Sequence, residues 1–206
     1  MKFTIFVIEG KSDFHVLKSM NDTFSNDELT LFHFNDLNQK IAHAVFNIKD
    51  EYLFGTKLSG NHINVPMNQY INTFYNKSLR LLFIENINEK YSEEIAKYLR
   101  LNSIQNRTVN FNNQSILNIT SHYGGFIKKV DLDDELDEDH ITYESKSVDS
   151  LRLELESNNN LTINYLLMLV KDHFISLSSK GQLSVNNSTL KFLTEFIEEF
   201  PYAENY

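Results

Sequence analysis

A chain of 206 residues with 41% hydrophobic and 13% aromatic residues can bury a core, so its composition excludes a globally disordered protein. The lack of cysteine excludes disulfides, thiolate nucleophiles and cysteine-ligated metal centres. A formal net charge of −9 argues against a sequence-blind nucleic-acid-binding protein, which normally has a basic face, but it fits a protein that binds a basic partner.

The first predicted elements contain the best candidate site. Residues 5–8 form an apolar run without polar alternation, which predicts a buried strand of a parallel sheet. Glu9 follows this strand, and Asp13 precedes the apolar face of a short helix. Because open α/β sheets bind ligands at the carboxyl edge of their strands, both carboxylates are candidate site residues. The alternative is a plain turn, in which Glu9 is only solvated and Asp13 caps the helix.

The following elements continue the alternation of strands and helices as far as residue 125. A strand is predicted at 29–34, a helix at 37–48, an insertion punctuated by Gly and Pro at about 50–77, a strand at 80–84, a helix at 92–101, and further strands at 108–111 and 116–119. This order implies parallel strands joined by right-handed crossovers.

Two segments resemble the motifs of a known family. Residues 7–13, with the sequence VIEGKSD, resemble the first motif of the TOPRIM domain, which occurs in bacterial primases, type I topoisomerases and small nucleases. The second TOPRIM motif is a strand that ends in Asp-x-Asp, and its nearest match is 81–89, where Asn86 and Asn88 occupy the aspartate positions. The resemblance implies an α/β domain over residues 1–125, with a TOPRIM-like Rossmannoid parallel sheet and helices on both faces.

The resemblance also implies a chemistry for the site. Glu9 and Asp13 would be the catalytic residues, and a Mg²⁺ or Mn²⁺ ion would be held by Glu9, Asp13, Glu85, Asn86 and Asn88. Asparagine supplies a carbonyl oxygen but no charge, so a site with two amides binds magnesium weakly unless a neighbouring glutamate compensates.

Two functions from different classes follow. The first is a metal-dependent nuclease or phosphotransfer enzyme that acts on nucleic acid, for which the resemblance points to phage defence. The second is a catalytically inactive regulatory or interaction protein of the same fold, such as an acidic inhibitor of a nucleic-acid enzyme. The expected partner is therefore nucleic acid or a nucleic-acid-processing protein.

Residues 126–206 are predicted to form a smaller, mostly helical α+β extension. Seven carboxylates lie within 131–139 and predict a solvated loop, although Asp131 and Asp133 are a second candidate for the acidic pair. Residues 151–155 fit a strand and a helix equally well, and about 162–175 is predicted to be a buried helix.

A last helix begins at a cap formed by Ser188 or Thr189 and carries an aromatic stripe. That stripe is expected to be core, or alternatively a face through which two copies of the chain associate. No segment has the length and apolarity of a membrane span, so we expect no membrane partner and a cytoplasmic protein.

Overall fold

The structure, a computed structural model, describes residues 1–10, 14–19, 28–55, 62–134, 136, 139–186 and 189–202. The chain divides into two compact units. Unit 1 comprises residues 1–7 and 108–206, and unit 2 comprises residues 8–107. Asp13, predicted as a catalytic residue and metal ligand, lies outside the described residues.

Eleven strands and five helices lie within the described residues. In chain order they are β1 (Lys2–Ile8), α1 (Val16–Ser19), β2 (Leu29–Asp36), β3 (Ile41–Gly55), β4 (His62–Asn76), β5 (Leu81–Glu85), α2 (Glu89–Leu101), β6 (Asn106–Thr108), α3 (Asn113–His122), β7 (Phe126–Asp134), β8 (Asp139–Glu144), α4 (Val148–Ser157), β9 (Leu161–Val170), β10 (His173–Ser178), β11 (Gln182–Val185) and α5 (Leu190–Glu198).

Unit 2 contains an antiparallel sheet with the strand order β2-β3-β4-β5. Its centre is a long hairpin in which Ile41 of β3 lies opposite Asn76 of β4, and Gly55 lies opposite His62. The even-numbered residues of β3 from 42 to 48 are buried and the odd-numbered ones from 43 to 47 are half-buried. The ring of Phe46, on the buried face, lies 5.9 Å from that of Tyr98 in α2, so this helix covers the buried face.

In unit 1 the strand order is β1-β11-β10-β9-β7-β8, and each neighbouring pair is antiparallel. Burial again alternates, because Leu166, Met168 and Val170 of β9 are buried while the residues between them are half-buried. Helix α3 packs against β9. At the end of α3, the Tyr123 hydroxyl donates a 2.8 Å hydrogen bond to the carbonyl oxygen of Phe196, which attaches α5 to the same layer.

The predicted fold class is therefore wrong. Both units are built on antiparallel sheets, whereas the prediction was a Rossmannoid parallel sheet with helices on both faces, followed by a mostly helical extension. The physical reason is that consecutive strands are joined by short turns, which permit only antiparallel pairing. Lys171 and Asp172, for example, are the only residues between β9 and β10.

Three predicted elements have the wrong type. The predicted helix at 37–48 lies mostly in β3, and its buried residues recur every second position. The predicted helix at 162–175 is the hairpin of β9 and β10, and the predicted strand at 116–119 lies within α3. The ambiguous segment 151–155 is helical.

Several other predictions are confirmed. The strand at 29–34 corresponds to β2, the strand at 80–84 to β5, and the helix at 92–101 to α2. Thr189 caps α5 by accepting a hydrogen bond from the backbone N–H of Phe192, and the aromatic residues Phe196 and Phe200 are buried as expected for a core stripe.

Two segments predicted to lack regular structure contain strands. The segment predicted as an insertion at 50–77 supplies the end of β3 and all of β4. The acidic segment 131–139 begins in β7 and ends at the first residue of β8. Among the described helices, none is long and apolar enough to cross a membrane.

Candidate functional site

Glu9 follows β1 and its side chain is 47% exposed. Its backbone N–H donates to the carbonyl oxygen of Gln105, and Arg80 donates from its Nε to the carbonyl oxygen of Ile8. The Glu9 carboxylate forms an ion pair with the guanidinium of Arg107, whose Nε lies 3.0 Å from Oε1 of Glu9. The carboxylate is thus presented at a strand end, as predicted, but it is already neutralised by an arginine.

The strand predicted to complete the site with Glu9 is β5, and the polar residues at and after its end stabilise the fold. Glu85 ends β5, and its Oε2 accepts hydrogen bonds from the side-chain amide of Asn72 at 2.7 Å and from the backbone N–H of Asn72 at 3.2 Å. Asn88 caps α2 by accepting from the backbone N–H of Lys90 at 3.1 Å. Asn86 lies between them and is half-buried.

In the described part of the predicted magnesium site, the side chains make contacts within the protein. Glu9 is paired with a cation, and the bonded oxygens of Glu85 and Asn88 already accept hydrogen bonds from the protein. Over the residues that the structure describes, no three His, Cys, Asp or Glu side chains form a group that could hold a metal ion.

The structure instead connects Glu85 to a histidine that the sequence did not single out. Asn72 lies in β4 and its Oδ1 is 3.1 Å from the Nε2 of His43 in β3. Because the Asn72 amide nitrogen donates to Glu85, its oxygen must be the acceptor on the other side. Nε2 of His43 therefore carries the proton, which leaves the lone pair on Nδ1.

The surroundings of His43 keep its imidazole in place. Its ring stacks on Phe74 with 4.9 Å between centroids, and the ring of His33 on β2 is 6.3 Å away. Burial lowers the pKa of His43, and the nearby His33 acts in the same direction, although the bond to Asn72 and the charge of Glu85 oppose them. The imidazole of His43 is therefore predominantly neutral at pH 7.

We refer to His33, His43, Asn72 and Glu85 as the histidine row. The histidine row is not predicted from the sequence. No two of the histidines have the spacing of a helical metal motif, and the apolar spacing over 37–48 favours a helix where the structure has β3. The available signal was the alternation along β3, since His43 is out of phase with the buried Ala42 and Ala44. The register of β3 and β4 then brings Asn72 diagonally next to His43.

The second acidic candidate lies in unit 1, on the hairpin of β7 and β8. Asp131 is buried and accepts hydrogen bonds from Lys129 at 2.9 Å and from Thr142 at 2.7 Å. Oδ1 of Asp133 and Nδ1 of His140 form a hydrogen bond of 2.8 Å. These bonds fix two of the carboxylates on the strand surface.

Further along this hairpin, two acidic residues are paired across the strands. The Cα atoms of Asp134 and Asp139 are partners in the β7–β8 ladder, and the Asp134 carboxylate accepts hydrogen bonds from the backbone N–H of Leu136 and the side-chain amide of Asn158. β8 is the last strand of the unit 1 sheet and pairs, among the described strands, with β7. In the acidic hairpin, defined as β7, β8 and the residues between them, the described carboxylates therefore lie in an edge strand or in the strand beside it.

Charge is distributed unevenly between the two units. Unit 1 has sixteen Asp and Glu residues against eight Lys and Arg, whereas unit 2 has twelve against eleven. Unit 1 thus carries −8 of the formal net charge of −9. Seven of its sixteen acidic residues lie within 131–139, so the acidic hairpin is the main source of the excess.

Comparison with known proteins adds no family assignment. No protein-family model matches the chain, and no curated protein matches it either.

Proposed function

We propose that this chain is a binding protein whose acidic hairpin docks onto a basic surface, such as the nucleic-acid-binding surface of another protein. The observation that carries the proposal is the concentration of acidic residues on the edge hairpin of the unit 1 sheet, where the Cα atoms of Asp134 and Asp139 are paired. A cationic partner placed against this hairpin interacts favourably with several like charges at once.

The bonding of two predicted metal ligands supports this interpretation. The carboxylate of Glu9 is paired with Arg107, and that of Glu85 is used to hold Asn72. On the acidic hairpin, Asp139 and Glu144 are exposed, and Asp133, which is bonded to His140, is about half-exposed. Fixed and exposed like charges are suited to electrostatic recognition and to fast association.

The test uses a fluorescent deca-lysine peptide as the basic probe and measures its anisotropy at low salt. Neutralising Asp133, Asp139 and Glu144 together, as D133N, D139N and E144Q, should weaken binding about 10-fold, at roughly 0.5 kcal/mol for each exposed ion pair. The matched control is E156Q, E195Q and E199Q, which removes three exposed charges from the helices of the same unit.

Two outcomes contradict the proposal. If both triple variants weaken binding equally, the peptide senses only net charge and the hairpin is no specific site. If the wild type cuts plasmid or structured RNA in the presence of Mn²⁺, and E9Q does not, the protein is a nuclease and the binding proposal falls. The variant E93Q, on the exposed face of α2, controls for a general loss of acidity in the second assay.

A further inference from the structure

In the histidine row, the ring of His43 is held in the way that metal-binding proteins hold a ligating histidine. Metal-ligating histidines almost always donate their second ring N–H to a carbonyl or carboxylate, which fixes the tautomer and the ring orientation. His43 donates from Nε2 to Asn72, and Asn72 is in turn fixed by Glu85. Among the described residues Nδ1 makes no hydrogen bond, so its lone pair can accept a metal ion.

A second imidazole lies within reach of the first. The ring centroids of His33 and His43 are 6.3 Å apart. With metal–nitrogen bonds of about 2.0–2.1 Å, two imidazoles on one tetrahedral ion have centroids roughly 5 Å apart, so the two rings must approach each other by about 1 Å to share an ion. His33 is exposed and its side chain can rotate about its own bonds to complete the geometry.

A third ligand is suggested by an unsatisfied oxygen. Asn35 of β2 lies directly opposite His43 in the ladder, and its Oδ1 is buried without a hydrogen-bond partner. A buried carbonyl oxygen without a donor is costly, and a bound cation is one of the few groups that removes the cost. The ladder register thus places an oxygen that can accept a cation on the strand position next to His43.

We propose that His33, His43 and the Oδ1 atom of Asn35 bind one divalent transition-metal ion, such as Zn²⁺ or Ni²⁺, on the half-exposed face of the unit 2 sheet. Imidazole nitrogens select transition metals, whereas magnesium prefers carboxylates, so this site differs in metal class from the one predicted around Glu9. Glu85 acts through Asn72 as a positioning residue.

The experiment titrates Zn²⁺ and Ni²⁺ alone into the full chain, purified without a histidine tag, by calorimetry at pH 7. We expect one ion per chain for the wild type. H33A and H43A should each weaken binding at least 10-fold, and E85Q should weaken it by about 10-fold or more, as expected for a residue behind the ligand. H140A is the matched control, because His140 contacts acidic residues in unit 1 and should be irrelevant.

Circular dichroism of each variant separates loss of the site from loss of the fold. H33A is the decisive variant because His33 is exposed and its removal leaves the core intact. Absorption of bound Co²⁺ provides a second readout, since bands of nitrogen-coordinated cobalt should appear in the wild type and disappear in H33A. The proposal is overturned if the wild type binds no metal at millimolar concentration, or if H140A abolishes binding while H33A does not.

Discussion

Replacing Gly181 with alanine should destabilise unit 1 far more than the same change at Gly124. Both glycines have positive φ angles, +71° and +58°, where an L-residue costs about 1–2 kcal/mol. They differ in space, because a Cβ at Gly181 would lie 2.2 Å from the carbonyl oxygen of Val109, whereas a Cβ at Gly124 meets no atom within 4 Å. The pair therefore separates steric overlap from backbone strain.

The overlap at Gly181 falls on a bonded part of the sheet. The N–H of Ile5 donates to the carbonyl oxygen of Gly181, and the N–H of Val109 donates to that of Ile5. Because Ile5 is bonded to both Gly181 and Val109, separating these two residues to accommodate a methyl group weakens both bonds, at about 1 kcal/mol each. We expect a loss of about 3–4 kcal/mol in the free energy of unfolding for G181A and about 1–2 kcal/mol for G124A.

Urea denaturation followed by far-ultraviolet circular dichroism measures both values, since the chain contains no tryptophan to serve as a fluorescent probe. Equal losses in the two variants would refute the reasoning, because they would show that the close approach of Gly181 to Val109 has no energetic consequence. A loss at Gly124 larger than that at Gly181 would refute it more strongly.

Two predictions concern titrating groups. Burial alone would raise the pKa of Asp131, but hydrogen bonds from Lys129 and Thr142 outweigh it and lower the pKa. The stability that this carboxylate supplies is therefore present above its unfolded pKa of about 3.9 and is lost as the pH falls through the folded value. In urea denaturation, the stability difference between the wild type and D131N should shrink from pH 6 to pH 2.5, and a constant difference would contradict the assignment. For Tyr91, the hydrogen bond to the Asp50 carboxylate, 2.6 Å long, raises the pKa to about 12. In an ultraviolet titration Y91F should follow the wild type through pH 10 and diverge near pH 12, and divergence near pH 10 would show that the bond is absent.

Patterns of burial explain which strands could be predicted. β5 is buried on both faces and flanked by Arg80 and a capping Asn88, so its apolar run was recognisable. β3 was mistaken for a helix because its buried face contains the small Ala42 and Ala44, which do not look like a strand's apolar face. The apolar residues at 37, 41, 45 and 48 happen to fit a helical period as well, so spacing alone could not decide.

The hairpin of β9 and β10 shows a second limit of the sequence. Lys171 and Asp172 both have positive φ angles, 45° and 66°, which are those of the two-residue turn that joins antiparallel strands. Asn-Gly or Asp-Gly is the usual signal for this turn, and Lys-Asp does not carry it. Without that signal, the apolar residues on either side of Lys171 and Asp172 are also consistent with a single helix over 162–175.

The candidate site was predictable only in part. Glu9 is at a strand end and half-exposed, as the apolar run before it indicated. The roles of Glu85 and His43 could not be predicted, because both depend on Asn72 in the neighbouring strand of a hairpin that the sequence did not reveal. Side chains brought together by strand register leave no local pattern in the sequence.

The bond between Val185 and Met1 has a consequence for how the protein is made. The backbone N–H of Val185 donates to the carbonyl oxygen of Met1 across a separation of 184 positions. During synthesis β1 leaves the ribosome long before β11 is made. Phe3 and Ile5, which are buried in the folded protein, therefore stay exposed until β11 can pair with β1. All of unit 2 is synthesised during that interval. We therefore expect the late closure of unit 1, a contact of very high sequence separation, to limit the rate of folding and to be the step at which exposed β1 favours aggregation.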